Sequence, residues 1–290
     1  MTSRENTLRG LALGDSFGQT RFTHKTDDEA PPPWPWTDDT AMALCIHAVL
    51  LDHGHIDQDA LATAFATEYR RDPHRHYGAS MHEVLTAIGN GEPWHTVAGR
   101  QFDGQGSWGN GAAMRVAPVG AWFANDLNRV KTEAANSAAV THAHPEATAG
   151  AIAVATATAL SITNTPPDRL LPEVTHHTPP SAVRTALQRA SRVPFHTDPR
   201  SAAGTLGNGS RISAPDTVPF AIWCAARHLD DLEAALRSTA SAGGDVDTTC
   251  AIVGGIIAGR TGLTKVPTTW LTACEPLPAF TPTGTASHCA

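Results

Sequence analysis

Ala147-Thr148-Ala149-Gly150-Ala151-Ile152-Ala153-Val154-Ala155 is small and apolar on every side. A helix built from it has no polar face to give to water, so it reads as a central helix with neighbours packed closely around it. Apolar residues recur at three- and four-residue spacing, or run uninterrupted, on both sides of this stretch: over 41–51, 60–70, 78–88, 112–122 and 131–140 before 147–160, then over 181–190, 217–228, 232–240 and 248–258. That spacing belongs to helices, and no alternating pattern of the kind a strand needs competes with it. Asp72-Pro73, Gly104-Gln105-Gly106, Thr165-Pro166-Pro167 and Pro179-Pro180 punctuate the runs as connections. No shift in composition marks a boundary, so the expectation is one all-α domain over residues 1–290. The connection of most interest is 19–36, long enough for a structureless segment to need a functional reason.

Composition narrows the field. With 290 residues, 41% of them hydrophobic, the chain can bury a substantial core. Its formal net charge is -7 and its Lys and Arg residues are evenly scattered, which excludes a basic nucleic-acid-binding stripe. Five cysteines, Cys45, Cys224, Cys250, Cys274 and Cys289, form no CxxC pair and read as reduced, mostly buried thiols. The N-terminus is polar and no apolar run reaches membrane-spanning length, so a soluble cytoplasmic protein is expected.

Two acidic stretches stand about two hundred residues apart, each just ahead of an apolar helical run: Trp36-Thr37-Asp38-Asp39-Thr40 and Gly243-Gly244-Asp245-Val246-Asp247-Thr248-Thr249. A threonine N-cap followed by aspartates in the first turn is ordinary helix chemistry, and taken singly either stretch needs no other explanation. Two such starts with matched threonine hydroxyls are harder to explain by capping alone, and Gly243-Gly244 adds a place where backbone can approach closely. Brought together, the four carboxylates suit a pair of hard divalent cations, magnesium or manganese, which prefer oxygen ligands.

The middle of the chain offers a ligand side. Gly104-Gln105-Gly106-Ser107-Trp108-Gly109-Asn110-Gly111-Ala112-Ala113-Met114-Arg115 runs from a glycine-rich loop into a helix, where free amides can meet an anion such as a phosphate. Gly204-Thr205-Leu206-Gly207-Asn208-Gly209-Ser210 is a second such turn. Each also reads as a plain turn. His142, in Thr141-His142-Ala143-His144-Pro145-Glu146, sits between two helical runs, where a histidine serves either as a structural hydrogen-bonder or as a ligand contact. His74, His76, His176 and His177 show no zinc-site spacing.

Read in order, Gly10-Leu11-Ala12-Leu13-Gly14-Asp15-Ser16-Phe17-Gly18, Thr37-Asp38-Asp39-Thr40, Gly109-Asn110-Gly111-Ala112-Ala113-Met114-Arg115, Thr141-His142 and Gly243-Gly244-Asp245-Val246-Asp247-Thr248 resemble the motifs of the ADP-ribosylglycohydrolase family. That family includes the dinitrogenase reductase-activating glycohydrolase and the animal ADP-ribosylhydrolases. The resemblance covers 9–271, and Leu206-Gly207-Asn208-Gly209 followed by Val218-Pro219-Phe220-Ala221-Ile222 is similar to the branch that contains the serine ADP-ribosylhydrolase.

The resemblance implies a compact orthogonal helical bundle with two magnesium or manganese ions in a cleft. Thr37, Asp38 and Asp39 would hold the metals from one side, and Asp245, Asp247 and Thr248 from the other. Gly106, Ser107, Gly109, Asn110 and Gly111 would cradle the diphosphate and distal ribose, with Trp108 where the family often carries an aromatic. His142 would lie near the phosphates, and Asn208, Gly209 and Ser210 beside the adenosine. The implied activity is metal-dependent hydrolysis of the glycosidic bond joining ADP-ribose to a protein side chain or a small-molecule acceptor, by a monomer that meets nucleic acid only as an ADP-ribosylated substrate. An ADP-ribose-binding module without turnover is the alternative. Either Asp38 or Asp247 would accept the proton of the attacking water. In the serine-specific branch a glutamate stands where this chain has Phe22, which leaves the acceptor open; either Glu29 or the Asp27-Asp28 pair in the same loop substitutes for that acid, or the loop is a mobile lid whose acids are solvated, the plainer reading.

Overall fold

The computed structural model describes residues 2–24 and 29–278. Sixteen helices form among the described residues. In chain order they begin with α1 (Ser3–Thr23), α2 (Asp38–His53), α3 (Gln58–Arg71), α4 (Ala79–Gly89) and α5 (Trp94–Gly104). Then come α6 (Gly111–Met114), α7 (Ala117–Trp122), α8 (Leu127–Ala139), α9 (Pro145–Ile162), α10 (Pro167–His177) and α11 (Ala182–Ala190). The series closes with α12 (Pro199–Leu206), α13 (Ala214–Arg227), α14 (Leu232–Ala240), α15 (Val246–Thr261) and α16 (Thr268–Ala273). No strand is formed among the described residues, only two isolated bridges, Trp34 with Cys274 and Gly109 with Ser213.

The stretch around Gly150 is the central helix its composition implies. α9 buries nearly every residue from Ala147 to Ser161 and packs against α6, α7, α8, α10, α13 and α15. α15 is its equal, buried on all sides through 248–259. These two helices are the axis around which the rest is laid.

α1 carries no recognisable apolar stripe, yet it is the principal partner of α15. Gly10, Gly14 and Gly18, spaced four apart, line one face of it. A Cβ at Gly14 would stand 2.1 Å from the Cys250 carbonyl oxygen, and one at Gly18 would stand 2.5 Å from Asp247 Cα. On the other helix, a Cβ at Gly254 would meet the Gly10 carbonyl oxygen at 2.0 Å. The two backbones therefore run antiparallel in direct contact, as only glycine permits. Asp15 is carried to the start of α15 by this contact.

The structure departs from the stated sequence-based expectations in two places. The run over 112–122 is two short helices, since Pro118 has no amide to continue a helix and sits in the first turn of α7 instead. The expected loop over 19–36 is shortened, because α1 continues to Thr23. Gly14-Asp15-Ser16-Phe17-Gly18 accordingly lies in a helix interior, and Phe22 stands in the last turn of α1, exposed. Asp27 and Asp28 lie outside the described residues. Beyond them, Trp34 is buried against Phe17 and Trp270, and its backbone pairs with Ala273 and Glu275, which delivers the chain to the start of α2.

The four described cysteines are unpaired, three of them buried, as expected. No described helix is long and apolar enough to cross a membrane.

Candidate active site

Thr37 caps α2 in the expected way, its hydroxyl oxygen accepting the Asp39 amide at 3.4 Å. Its remaining contacts go beyond capping. Asp15, fully buried on α1, accepts the Thr37 amide (2.8 Å) and hydroxyl (2.9 Å) and the Thr40 amide (3.2 Å) and hydroxyl (2.6 Å). The Thr37 hydroxyl also faces Asp39 Oδ2 at 3.1 Å. One hydroxyl proton cannot serve two carboxylates, so Asp39 either carries a proton of its own or faces a cation. Asp39 Oδ1 is buried without any hydrogen-bond partner.

The second acidic stretch departs further from ordinary capping. Asp245 occupies the N-cap of α15 and makes no side-chain cap bond. Its Oδ2 instead accepts the Asn110 side-chain amide at 2.6 Å, and its own backbone amide donates to Asn208 O at 3.1 Å. Gly243 and Gly244 both take positive φ, and a Cβ at Gly244 would stand 2.3 Å from the Asn208 carbonyl oxygen. The pair of glycines is thus required by the contact between two loops. Asp247 Oδ1 accepts the Thr248 amide at 2.9 Å, and Thr248 Oγ1 reaches Asp39 Oδ2 at 3.5 Å. Two stretches that lie about two hundred residues apart in the chain meet at that contact.

Five aspartates therefore share one partly buried centre, and no described ion pair reaches any of them. Burial, then the charges of Asp15 and Asp247, hold the Asp38 and Asp39 carboxyls far above the ordinary carboxylate range. Burial pushes Asp15 up to about 6 against the four bonds that favour its ionised form, and pushes Asp245, with help from Asp247, up to about 7. Asp247 is raised by burial and by Asp15. Carboxyls so placed either keep protons or receive positive charge from outside the chain. Among the described residues no three His, Cys, Asp or Glu side chains are drawn in closely enough to hold a metal ion as they stand.

The glycine-rich loop lies against His142. A Cβ at Gly111 would stand 2.9 Å from the imidazole Cε1, and one at Gly109 would stand 3.3 Å from Nε2. Arg115 is fully buried and donates to Ser137 O (3.0 Å) and to Thr141 Oγ1 (2.8 Å), while Thr141 Oγ1 lies 2.7 Å from His142 Nδ1. Since arginine only donates, the threonine hydroxyl proton turns to Nδ1 and assigns the imidazole proton to Nε2, beneath the glycines. Burial, with the Arg115 charge behind it, pushes His142 down to about 3, so the ring is neutral and offers one N–H donor.

Two expectations for this loop need correcting. α6 is only four residues long, so no helix dipole backs the loop. Asn110 turns its side-chain amide inward, to Asp245 and to Thr217 Oγ1 (3.0 Å), which makes it the join between the glycine loop and the acidic centre. Ser107 Oγ accepts the Gly109 amide at 3.2 Å, Gly106 takes a positive φ against Ala143 and His144, and Trp108 is exposed beside the His144 ring. Asn208 spends its side chain on Ala242 O and the Ser210 amide, and a Cβ at Gly209 would meet Asp245 Cβ at 2.5 Å. Thus Asn208, Gly209 and Ser210 form the wall that shapes the Asp245 loop.

Glu29 is engaged elsewhere: its carboxylate accepts the Trp270 indole N–H at 2.6 Å and lies 3.7 Å from the Arg237 guanidinium, with no contact to the acidic centre. Two contributors carried no assigned role in the sequence. Asp15 stood inside a quoted motif, with only its position between glycines as a signal. Arg75 was silent: its carbonyl accepts the Asp38 amide, and its guanidinium stacks on Trp36 and pairs bidentately with Glu275.

Helical architecture, acidic centre and buried imidazole under a glycine loop occur here in a chain whose relatives are glycosyl-hydrolase-type enzymes. A model of the ADP-ribosylglycohydrolase family matches residues 5–285, and the chain belongs to that family. Human ADP-ribosylhydrolase ARH3 is 30% identical to it over 92% of this chain and 88% of that protein. ADP-ribosylarginine hydrolase Tri1 of Serratia proteamaculans is 25% identical over 91% of this chain and 73% of that protein. Among solved structures, one described as an ADP-ribosylglycohydrolase-related protein complex superposes with a TM-score of 0.70 at 25% identity, covering 94% of this chain and 92% of that one.

Proposed function

We propose that the protein hydrolyses the glycosidic bond between the ribose of ADP-ribose and an acceptor, releasing ADP-ribose, with two magnesium or manganese ions held by Thr37, Asp38, Asp39, Asp245, Asp247 and Thr248. The observation that carries this reading is the join at Asn110, which ties the glycine loop lying over the neutral His142 to Asp245 of the acidic centre. The donor set fits hard divalent cations: all oxygen, anionic, threonine-flanked, and with Asp39 Oδ1 buried and unpartnered. When bound, such a pair supplies Lewis-acid polarisation and orientation of water.

The chain's own residues supply the rest. Gly109 and Gly111 let the His142 ring pack directly beneath the loop, so a diphosphate laid along the loop's amides would lie within reach of His142 Nε2–H. Asp15 fixes Thr37 and Thr40, so the first turn of α2 cannot drift when charge enters the centre. Cleavage builds positive character on the anomeric carbon, and the attacking water must give up a proton. Asp38 and Asp247 are the carboxylates proposed to take it. With Phe22 at the end of α1 and Glu29 bound to Trp270, no described acid other than the aspartates is offered to the leaving group.

Release of ADP-ribose from arginine-linked, serine-linked and nucleic-acid-linked substrates, with magnesium and with a chelator, tests the proposal. Magnesium-dependent release from at least one is expected. Tight ADP-ribose binding with no cleavage of any substrate would replace the hydrolase reading with that of a binding module.

A further inference from the structure

Beside Trp108, Asn208 and Ser210 opens a cavity of about 840 Å³, into whose wall α11 contributes Arg189, α12 contributes Arg200, and the loop before α13 contributes Arg211. Arg189 donates to Thr205 O at 3.3 Å and Arg200 donates through Nε to Ser241 O at 3.0 Å. These single bonds tether the side chains to the wall. Neither guanidinium makes another hydrogen bond among the described residues, and that of Arg211 makes none. The one acid in the wall, Asp216, has Oδ2 taken by the Arg211 backbone amide at 3.0 Å. No described carboxylate pairs with any of the three.

Three guanidiniums without carboxylate partners around one cavity, in a chain of net charge -7, concentrate positive charge there. Their planar forks match the oxygen geometry of a phosphate. We propose that this cavity is a phosphate subsite, selecting ADP-ribose ligands that carry a further phosphomonoester on the adenosine ribose. The inference rests on the reading that places adenosine beside Asn208, Gly209 and Ser210, of which Asn208 and Ser210 line this cavity together with Trp108. From there, a phosphate on a 2′ or 3′ hydroxyl is the group that extends past the nucleoside.

Calorimetry on the full chain with magnesium, comparing ADP-ribose with ADP-ribose 2′-phosphate, tests it. The phosphorylated ligand is expected to bind about tenfold tighter at low salt, the gain of a charge-assisted contact, and to lose much of that advantage at high salt. Arg200→Ala and Arg211→Ala, both at exposed positions, should each cut the advantage several-fold while leaving ADP-ribose affinity and the circular dichroism spectrum unchanged. Inorganic phosphate should compete with the phosphorylated ligand's advantage and not with ADP-ribose itself. Equal affinities for the two ligands, or an advantage untouched by both substitutions, overturn the subsite while leaving the hydrolase reading standing. Failure of ADP-ribose itself to bind overturns both, and phosphate competing equally with both ligands places the anion at the diphosphate loop instead.

Discussion

Gly14→Ala tests the claim that the active site exists because two helix backbones touch. The added Cβ would stand 2.1 Å from the Cys250 carbonyl oxygen, 2.6 Å from its carbon and 3.1 Å from the Ala251 nitrogen, all main-chain atoms of α15 that cannot rotate aside. Ordinary contact begins near 3.4 Å, so α1 must retreat by about 1 Å at the residue next to Asp15. Overpacking of this kind costs about 2–3 kcal/mol, and the better helix propensity of alanine returns no more than about 1 of that. In a chain of this length the net loss lowers the unfolding midpoint by about 2–3 °C. The site suffers more than the fold, because the same 1 Å separates Asp15 and the α2 cap from Asp247; a misplacement of that size costs about a hundredfold in turnover. Gly99→Ala is the control, a glycine in α5 with nothing within 4 Å of its added Cβ, and should stabilise by about 0.5–1 kcal/mol. Thermal unfolding and ADP-ribose release measured on both variants decide the matter. If Gly14→Ala melts and turns over like the parent, the close-contact account of the site is wrong.

Asp38→Ala and Asp247→Ala each remove a proposed metal ligand and base, so both should abolish turnover and weaken magnesium binding seen by calorimetry, and full activity in either refutes the assignment. Glu29→Gln should leave the rate unchanged, since its carboxylate is held by Trp270 and Arg237; a large fall in rate would place it in the chemistry after all. Arg75→Ala strips the bidentate partner from Glu275 and the cation from the Trp36 face, costing about 2 kcal/mol in urea unfolding, and Arg75→Lys should recover only part of it, because an ammonium cannot match both Glu275 oxygens. In chelator, Asp15 and Asp245 bind protons up to about 6 and about 7, well above their ordinary values, so the stability they contribute is present in acid and is lost as pH rises from about 4 to about 7. His142, buried and neutral, pulls the other way below its ordinary range, so the readout is the difference in unfolding temperature between magnesium-loaded and chelated protein. That difference should widen with rising pH, and a constant difference would argue against a cation in the acidic centre.

The helices that sequence reading placed are those with a strong local signal: apolar residues at helical spacing over 60–70 and 232–240, or an unbroken small apolar run over 147–160. α1 escaped because its docking face is written in glycine, which weakens helix propensity and apolar periodicity together. The capping box of Thr2 with Glu5 was the available signal for it. α12 and α16 are short, α10 and α12 open on proline, which reads equally as a turn, and α5 is broken by non-helical backbone at Gln101, Phe102 and Asp103.

By itself the sequence determined the all-helical architecture and the two acidic helix starts, because caps, turns and apolar periodicity are decided by residues within a few positions of one another. Only the tertiary structure decided that Asp15 belongs to the acidic centre, that Asn110 joins it to the glycine loop, that Glu29 does not reach it, and that Arg189, Arg200 and Arg211 share a cavity. Those relations depend on where whole backbones dock. The docking of α1 on α15 is set by three glycines whose meaning lies in the carbonyls they approach, and those carbonyls come from residues more than two hundred positions away.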